Sequence, residues 1–283
     1  MEQVPDQLRV AYLGPEATFT HQAARQNFGR GARYLAGETI GDVFTMVSQG
    51  YADVGVAPVE NSNEGVVTST LDLLVDSDQK IVGEIILPIR LMLLSREPSL
   101  DTVRTVYSHP HVWGQCRHWL ERNLSEAKLK DSRSTAEAVA FCAEVKGTAA
   151  VGGELTSEMY EVPILVEDIG DWEENLTRFL VFSDQMAEPT GDDKTSIVLS
   201  IKDRVGALYE ILKPFGDNGI NLTKIESRPS RKKAWDYVFF VDLEGHRDEP
   251  KLSKTLKIVG NYCEHLKILG SYPKGNVIGE EKS

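Results

Sequence analysis

Between Leu8 and Ser183 the chain switches repeatedly between short β-rich runs and stretches with apolar residues at helical spacing, and no other feature restricts its folds as much. The strand-like runs are Leu8–Gly14, Ala32–Gly37, Ala52–Val59, Ile81–Ser95, Val103–Ser108, Thr148–Gly152, Val162–Ile169 and Thr177–Ser183. Between them Ala17–Phe28, Ile40–Gln49, Ser69–Val75, Val112–Asn123 and Thr135–Val145 read as helices, the last opened by Ser134 and Glu137 at capping-box spacing. Such alternation builds an α/β fold on mainly parallel sheets. The apolar run Ile81–Ser95 reads as a crossing between two lobes, with ligands expected between them, near strand C-termini and helix N-termini.

After Asp193 the pattern changes to βαββαβ, with strands at Thr195–Ile201, Asn221–Ser227, Asp236–Leu243 and Leu266–Tyr272 and helices at Gly206–Phe215 and Lys251–Tyr262. That order is the ferredoxin-like, split βαβ arrangement. Charge marks the same boundary. Residues 1–192 carry 15 Lys and Arg against 30 Asp and Glu, whereas residues 193–283 carry 16 against 13. The polar, Pro- and Gly-containing stretch Ser183–Asp193 joins the two regions. We expect a two-lobed region over 1–184 with a second lobe at roughly 82–165, a linker over 185–192, a second domain over 193–274 and a tail over 275–283.

The net charge of −12 argues against nucleic acid or an acidic membrane as partner. Cys116, Cys142 and Cys263 are too scattered for a disulfide scaffold or a CxxC pair. The apolar run Ile85–Leu94 is too short to span a bilayer and contains Arg90, and MEQVPDQLRV lacks the regions of a signal peptide, so the expected location is cytoplasmic. GxGxxG, GxSxG and HExxH are missing, and Gly270–Asn276 (GSYPKGN) has Asn276 where a P-loop needs lysine. His109 and His111 have no Cys or acidic neighbour at ligand spacing, so neither a metal nor any other cofactor is expected.

What remains is a set of polar segments at strand ends. GPEATFTH (Gly14–His21) opens a helix and offers hydroxyls and N–H groups to an anion; an ordinary helix cap explains it equally well. VENSNEG (Val59–Gly65) gathers carboxylates, amides and a hydroxyl after a strand, SHPHVWGQC (Ser108–Cys116) repeats that placement, and NLTRFLVF (Asn175–Phe182) sets Thr177 and Arg178 at the start of an apolar strand. Together they can line one interlobe cleft.

These segments, with APVENSNEGVVTSTLDLL, GEIILPI, SHPHVWGQCRHWL and STAEAV, resemble the prephenate dehydratase family over almost the whole chain, and VGALYEILKPFGDNGINLTKIESRP resembles its ACT regulatory domain. The resemblance implies a two-lobed, periplasmic-binding-protein-like catalytic region in which prephenate loses CO2 and water to give phenylpyruvate. It implies Thr177 as proton donor, with Glu60, Asn61 and Gln115 orienting substrate or donor. Glu60 with a raised pKa is a second candidate acid. Thr18, Thr20, Ser62, Ser108 and Arg178 are candidate contacts for the dicarboxylate, with Phe179 as a ring wall. Arg178 can equally pair with Glu173 or Glu174 outside the cleft. The chain departs from the family at Ala17 (commonly Gly), His111 (commonly Gln) and Arg133, where some members carry an acid.

In the second domain, Gly206, Ala207 and Leu208 at a helix N-terminus suit a carboxylate, and Glu226 and Ser227 can answer an ammonium group, across a subunit interface if need be. Asn221, Leu222 and Thr223 lie one strand-length earlier. This fits an α-amino acid, which the resemblance identifies as phenylalanine acting by feedback, in a homodimer or homotetramer joined through this domain. Arogenate dehydratase and a non-catalytic small-ligand binding protein are the alternative readings.

Overall fold

The structure, a computed structural model, describes residues 7–201, 204–230 and 237–279. Residues 1–6, Asp236 at the head of an expected strand, and the last four residues of the expected tail lie outside it. The chain begins β1 (Arg9–Leu13), α1 (Phe19–Phe28), β2 (Arg33–Gly37), α2 (Ile40–Ser48), β3 (Val54–Asn61), β4 (Gly65–Val66), α3 (Thr68–Asp76) and β5 (Lys80–Pro88). It continues β6 (Met92–Leu94), β7 (Thr105–Ser108), α4 (Pro110–Asn123), β8 (Lys128–Asp131), α5 (Thr135–Cys142), β9 (Thr148–Gly152), α6 (Glu154–Tyr160) and β10 (Ile164–Val166), then returns as β11 (Leu176–Ser183).

The first sheet has the order β2-β1-β3-β11-β5, with β4 against β3, and the second has the order β10-β6-β9-β7-β8. The run Ile81–Ser95 therefore divides between sheets. Its β5 part stays in the first sheet beside β11, so the second sheet begins at Met92 rather than near residue 82. Local chemistry fits these elements. Thr39 and Asp42 cap α2 reciprocally, Val43, Phe44 and Val47 are its buried stripe, and Phe44 stacks on Phe182 of β11 at 4.0 Å.

The C-terminal region is β12 (Asp193–Ser200), α7 (Ala207–Asp217), β13 (Leu222–Pro229), β14 (Tyr237–Glu244), α8 (Pro250–Gly260) and β15 (His265–Pro273), an antiparallel sheet of order β13-β14-β12-β15. One face buries Ile197, Leu199, Val241 and Leu243 against Ile211 and Phe215 of α7 and Leu252 and Val259 of α8. The other face is not solvated. Val198, Phe240, Leu269 and Tyr272 share one core with Leu71, Leu74, Ile81, Leu180 and Phe182 of the first lobe. At ~1.5–3 kcal/mol for each large apolar side chain buried, this is a firm seat and not a tether.

Polar contacts fix the same seat. Lys267 of β15 donates to the carbonyls of Leu74 (3.1 Å) and Val75 (2.7 Å), setting a cation on the last turn of α3. Gly270 lets β15 run against β5, because a Cβ there would lie 2.1 Å from the Ile81 carbonyl oxygen. Beyond β15, Ile278 donates its N–H to the Ile86 carbonyl at 2.9 Å, so the described part of the tail covers the free edge of β5.

Candidate active site

Thr177 begins to pair β11 with β3 directly opposite Asn61, so both side chains stand on one face. Asn61 Nδ2 donates to Thr177 Oγ1 (2.9 Å) and to Asn175 Oδ1 (2.8 Å). Its Oδ1 accepts from the N–H groups of Asn63 (2.9 Å) and Glu64 (3.1 Å), which holds the amide in one orientation. Thr177 Oγ1 is thus an acceptor towards Asn61 and keeps its own proton for a group in the cleft. The line continues across the lobes: Asn175 Nδ2 donates to Gln115 Oε1 (2.8 Å), and Gln115 Nε2 donates to Glu64 Oε1 (2.5 Å). Just after Gln115, α4 kinks at Cys116 (φ −136°, ψ 17°). The Asp171 carboxylate takes up the N–H groups of His118 (2.8 Å) and Trp119 (3.0 Å) beyond that kink.

The cleft measures about 300 Å³ and is lined by Thr18, Phe19 and Thr20 of the first lobe and by His109, His111, Gln115 and Arg133–Thr135 of the second, with Asn61, Glu64, Thr177 and Phe179 between them. The N-termini of α1, α4 and α5, capped by Thr18, His109 and Ser134, all reach it. A strongly acidic region can in this way present an electropositive hollow to an anion. Arg133 lies at the rim, its guanidinium turned to Glu137 at 2.6 and 2.9 Å.

The turn before α1 has its own support. Ala17 takes a left-handed φ of 63°, where the resemblance leads one to expect glycine, and its N–H donates to His21 Nδ1 at 3.0 Å. The His21 ring stacks on Tyr12 at 4.4 Å. Burial, helped by Arg25, pulls the His21 pKa from 6.5 to about 4. The native state then binds fewer protons than the unfolded chain, so this contribution is complete above the unfolded value and is lost as pH falls from 6.5 towards 4. Urea titrations should show a stability loss of ~3 kcal/mol between pH 7 and pH 4 that flattens in His21→Asn, whose Oδ1 can still accept from Ala17. An unchanged pH slope in that variant would remove His21 as its source.

Of the expected contacts, Thr18, Thr20, Asn61, Gln115, Thr177 and Phe179 line the cleft together. Four do not. Glu60 and Arg178 precede and follow the Asn61–Thr177 pair by one residue, and strand alternation turns them to the opposite face. There Arg178 meets neither Glu173 nor Glu174; Nε donates to Glu84 (2.7 Å), Nη1 to Asp242 (2.7 Å) and Glu60 (3.3 Å), and Nη2 to Tyr272 Oη (2.9 Å). Burial works against its charge, but Tyr272, Asp242 and Glu84 outweigh it and raise the guanidinium pKa further. Glu60 is held by Arg178 and Lys224, which removes it as the acid of the cleft. Ser108 is fully buried and donates to the Val151 carbonyl (3.0 Å), and Ser62 Oγ accepts from Leu176 N–H (3.0 Å), so both tie backbone instead of substrate. Glu64 and Asn175 were not singled out from the sequence; their proximity in number to Asn61 and Thr177 was the available signal.

In the C-terminal sheet, Gly206 takes φ +82° just before α7, and Ala207 and Leu208 form its first turn. Ser227 lies at the same end of the sheet, opposite Phe239, which packs towards the helices. Glu226 sits opposite Phe240 and faces the first lobe instead, so one chain does not bring it onto the face of Gly206. Asn221 gives its carbonyl to Glu244 N–H, Leu222 packs on the helix-side core, and Thr223 is exposed on the outer strand.

The prephenate dehydratase family model matches residues 10–187, and that of the ACT domain matches residues 195–261. The chain is similar to a bifunctional chorismate mutase/prephenate dehydratase of Aquifex aeolicus, 52% identical over 267 residues that cover 94% of this chain and 74% of that protein. It is similar to a prephenate dehydratase of Amycolatopsis methanolica, 39% identical over 95% of this chain and 89% of the other. Among solved structures, it resembles a prephenate dehydratase of Arthrobacter aurescens in complex with L-Phe, with a TM-score of 0.86 and 33% identity over 94% of this chain and 90% of that one.

Proposed function

The chain belongs to the prephenate dehydratase family, carbon–oxygen lyases that convert prephenate to phenylpyruvate for phenylalanine biosynthesis, and we propose that Thr177 delivers the proton that lets hydroxide leave as water. The observation that carries this is the Asn61–Thr177 bond, which occupies the threonine oxygen as acceptor and leaves its O–H to donate. The carboxylates of prephenate lie towards the N-termini of α1, α4 and α5. As the ring C–CO2 bond breaks, its electron pair enters the ring and the C–OH bond breaks opposite it. The proton from Thr177 turns the departing hydroxide into water, and solvent restores it after aromatisation. A threonine hydroxyl is a weak acid in water, so its contribution depends on being aimed in advance, which the Asn61–Asn175–Gln115 line achieves. Phe179 supplies an apolar wall that strips water from the departing carboxylate.

Residues 1–184 form the catalytic region on this reading and residues 193–274 its regulatory domain. Phenylalanine binds by its carboxylate at Gly206–Leu208, with Ser227 and neighbouring β13 residues completing the pocket. Among the described residues the outer strand β13 pairs on one side only, and Val205, Tyr209, Ile225 and Tyr237 are exposed in this domain. A second copy seated there would cover these side chains and bring Glu226 of that copy within range of the pocket. Among the described residues no helix is long and apolar enough to cross a membrane.

Incubation with prephenate, following phenylpyruvate, tests the assignment. Turnover should survive exhaustive dialysis against EDTA in nucleotide-free buffer and fall with added phenylalanine; arogenate, run in parallel, should turn over more slowly. Activity that disappears with EDTA and returns with a divalent metal would overturn the chemistry argued above.

A further inference from the structure

The Asn61–Thr177 pair has a counterpart on its reverse side. Glu60 pairs with Arg178 in the next register position, and around Arg178 the side chains of three sheet-borne acids and two further bases are gathered. Glu84, whose side chain is fully buried, also accepts from Lys194 (2.7 Å) and from Gly275 N–H (2.9 Å). Asp242 accepts from Ser196 Oγ (2.5 Å), which itself bonds Tyr272 Oη (2.7 Å). Lys224 pairs with Glu60. The cluster is neutral, and Arg178, Glu60 and Glu84 come from the first lobe while Lys194, Ser196, Lys224, Asp242 and Tyr272 come from the C-terminal sheet.

Stability alone is a poor reason for such a cluster, because apolar side chains of similar volume commonly stabilise as well. Its position supplies a better one. The register between β11 and β3 shifts between Arg178 and Phe179, where β3 carries one extra residue, Val59, a bulge two positions from Asn61 on the strand that faces the proposed donor. Bulges beside active sites re-aim side chains, and a bulged strand needs something to hold it in one geometry. Arg178 pairs with Glu60, the neighbour of the bulged Val59, and its guanidinium is held from Glu84, Glu60, Asp242 and Tyr272 at once, so the clamp grips both strands at that irregularity.

We propose that Arg178 is a positioning residue for Thr177, and that Asp242 and Tyr272 make the regulatory sheet part of the clamp that aims the catalytic hydroxyl. The inference rests on Thr177 being the donor. It means that seating of the C-terminal sheet and competence of the active site are one equilibrium, so that a ligand which shifts the sheet shifts the hydroxyl with it.

The test is Asp242→Asn in the full chain, assayed well below its melting temperature. Removing one charge from the clamp should lower kcat ~10-fold with KM within twofold, the signature of a misaimed group and not of lost substrate binding. Phenylalanine binding by calorimetry should stay within about threefold while maximal inhibition shrinks, since the sheet still binds ligand but no longer governs Thr177. Arg178→Lys, which can serve fewer of the acceptors, should show an intermediate kcat, and Arg178→Met a lower one than Lys. A folded Asp242→Asn protein with unchanged kcat and unchanged maximal inhibition overturns the proposal and leaves the cluster as adhesive only. If Thr177→Ala keeps its turnover while Asp242→Asn loses it, the donor assignment fails and the clamp acts on another group.

Discussion

Thr177→Ala should lose turnover by ~10²–10⁴-fold while the protein folds and melts almost as before. The small stability cost follows from the geometry. Asn61 Nδ2 keeps its bond to Asn175 Oδ1 at 2.8 Å and its Oδ1 stays held by two backbone N–H groups, while the one amide N–H that loses Thr177 lines the cleft, where water can accept from it. The cost should be only ~1 kcal/mol. The kinetic cost is large because the hydroxyl is needed in the transition state, where the leaving oxygen becomes basic. Thr177→Ser should retain most of the activity and Thr177→Val, which keeps the shape, should match alanine. Steady-state kcat for the three variants beside melting curves decides the matter. Near wild-type turnover in Thr177→Val would move the acid elsewhere, and Glu64, which lines the cleft and touches Gln115, would be tested next.

Gly270→Ala should be the most damaging single methyl in the chain outside the active site. Its Cβ would stand 2.1 Å from the Ile81 carbonyl oxygen and 2.7 Å from the Ile81 nitrogen. Both are backbone atoms of β5, so no rotamer change relieves the clash, and β15 must lift from the first lobe. With Leu269 and Tyr272 on the same strand inside the shared core, we expect a loss of ~3–4 kcal/mol, or a fall in Tm of roughly 10 °C. Phenylalanine inhibition should weaken with it. Gly31→Ala, where an added Cβ meets nothing within 4 Å, serves as the control and should melt within a degree or two of wild type. Equal melting of both variants would mean that β15 does not approach β5 so closely.

The alternation that opens the sequence is legible because buried strands and amphipathic helices must carry it, and the βαββαβ order of the C-terminal region is read the same way. β8 escaped notice because Lys128–Asp131 is KLKD, an exposed stretch whose pairing with β7 leaves no apolar trace. α6 is seven residues of mixed polarity, too short to show a period. The site was half legible. The polar segments at strand ends and helix starts are legible in the residues, but within them Thr177, Asn61, Gln115 and Glu60 are named by the family resemblance, which does not tell that Glu60 and Arg178 face the other way. The two-residue period of a strand separates them: if Asn61 and Thr177 face inward, their neighbours cannot. GSYPKG, read only as a failed phosphate loop, has its glycines for another purpose. Gly270 and Gly275 let the chain pass against β5, and a Cβ on Gly275 would lie 2.7 Å from the Glu84 side chain. Sequence hides such contacts because the partner lies nearly two hundred residues away.

The core shared between the first lobe and the C-terminal sheet also constrains how the chain is made. The second lobe, from Met92 to Val166, is one unbroken segment whose strands pair among themselves, so it can condense as soon as it leaves the ribosome. The first lobe is not so fortunate. It must wait for β11 to enter between β3 and β5, and until β14 and β15 emerge Glu84 and Arg178 lack the Lys194, Asp242 and Tyr272 partners that make their burial tolerable. Completion of the first lobe therefore waits on β15, which lies far beyond it along the chain.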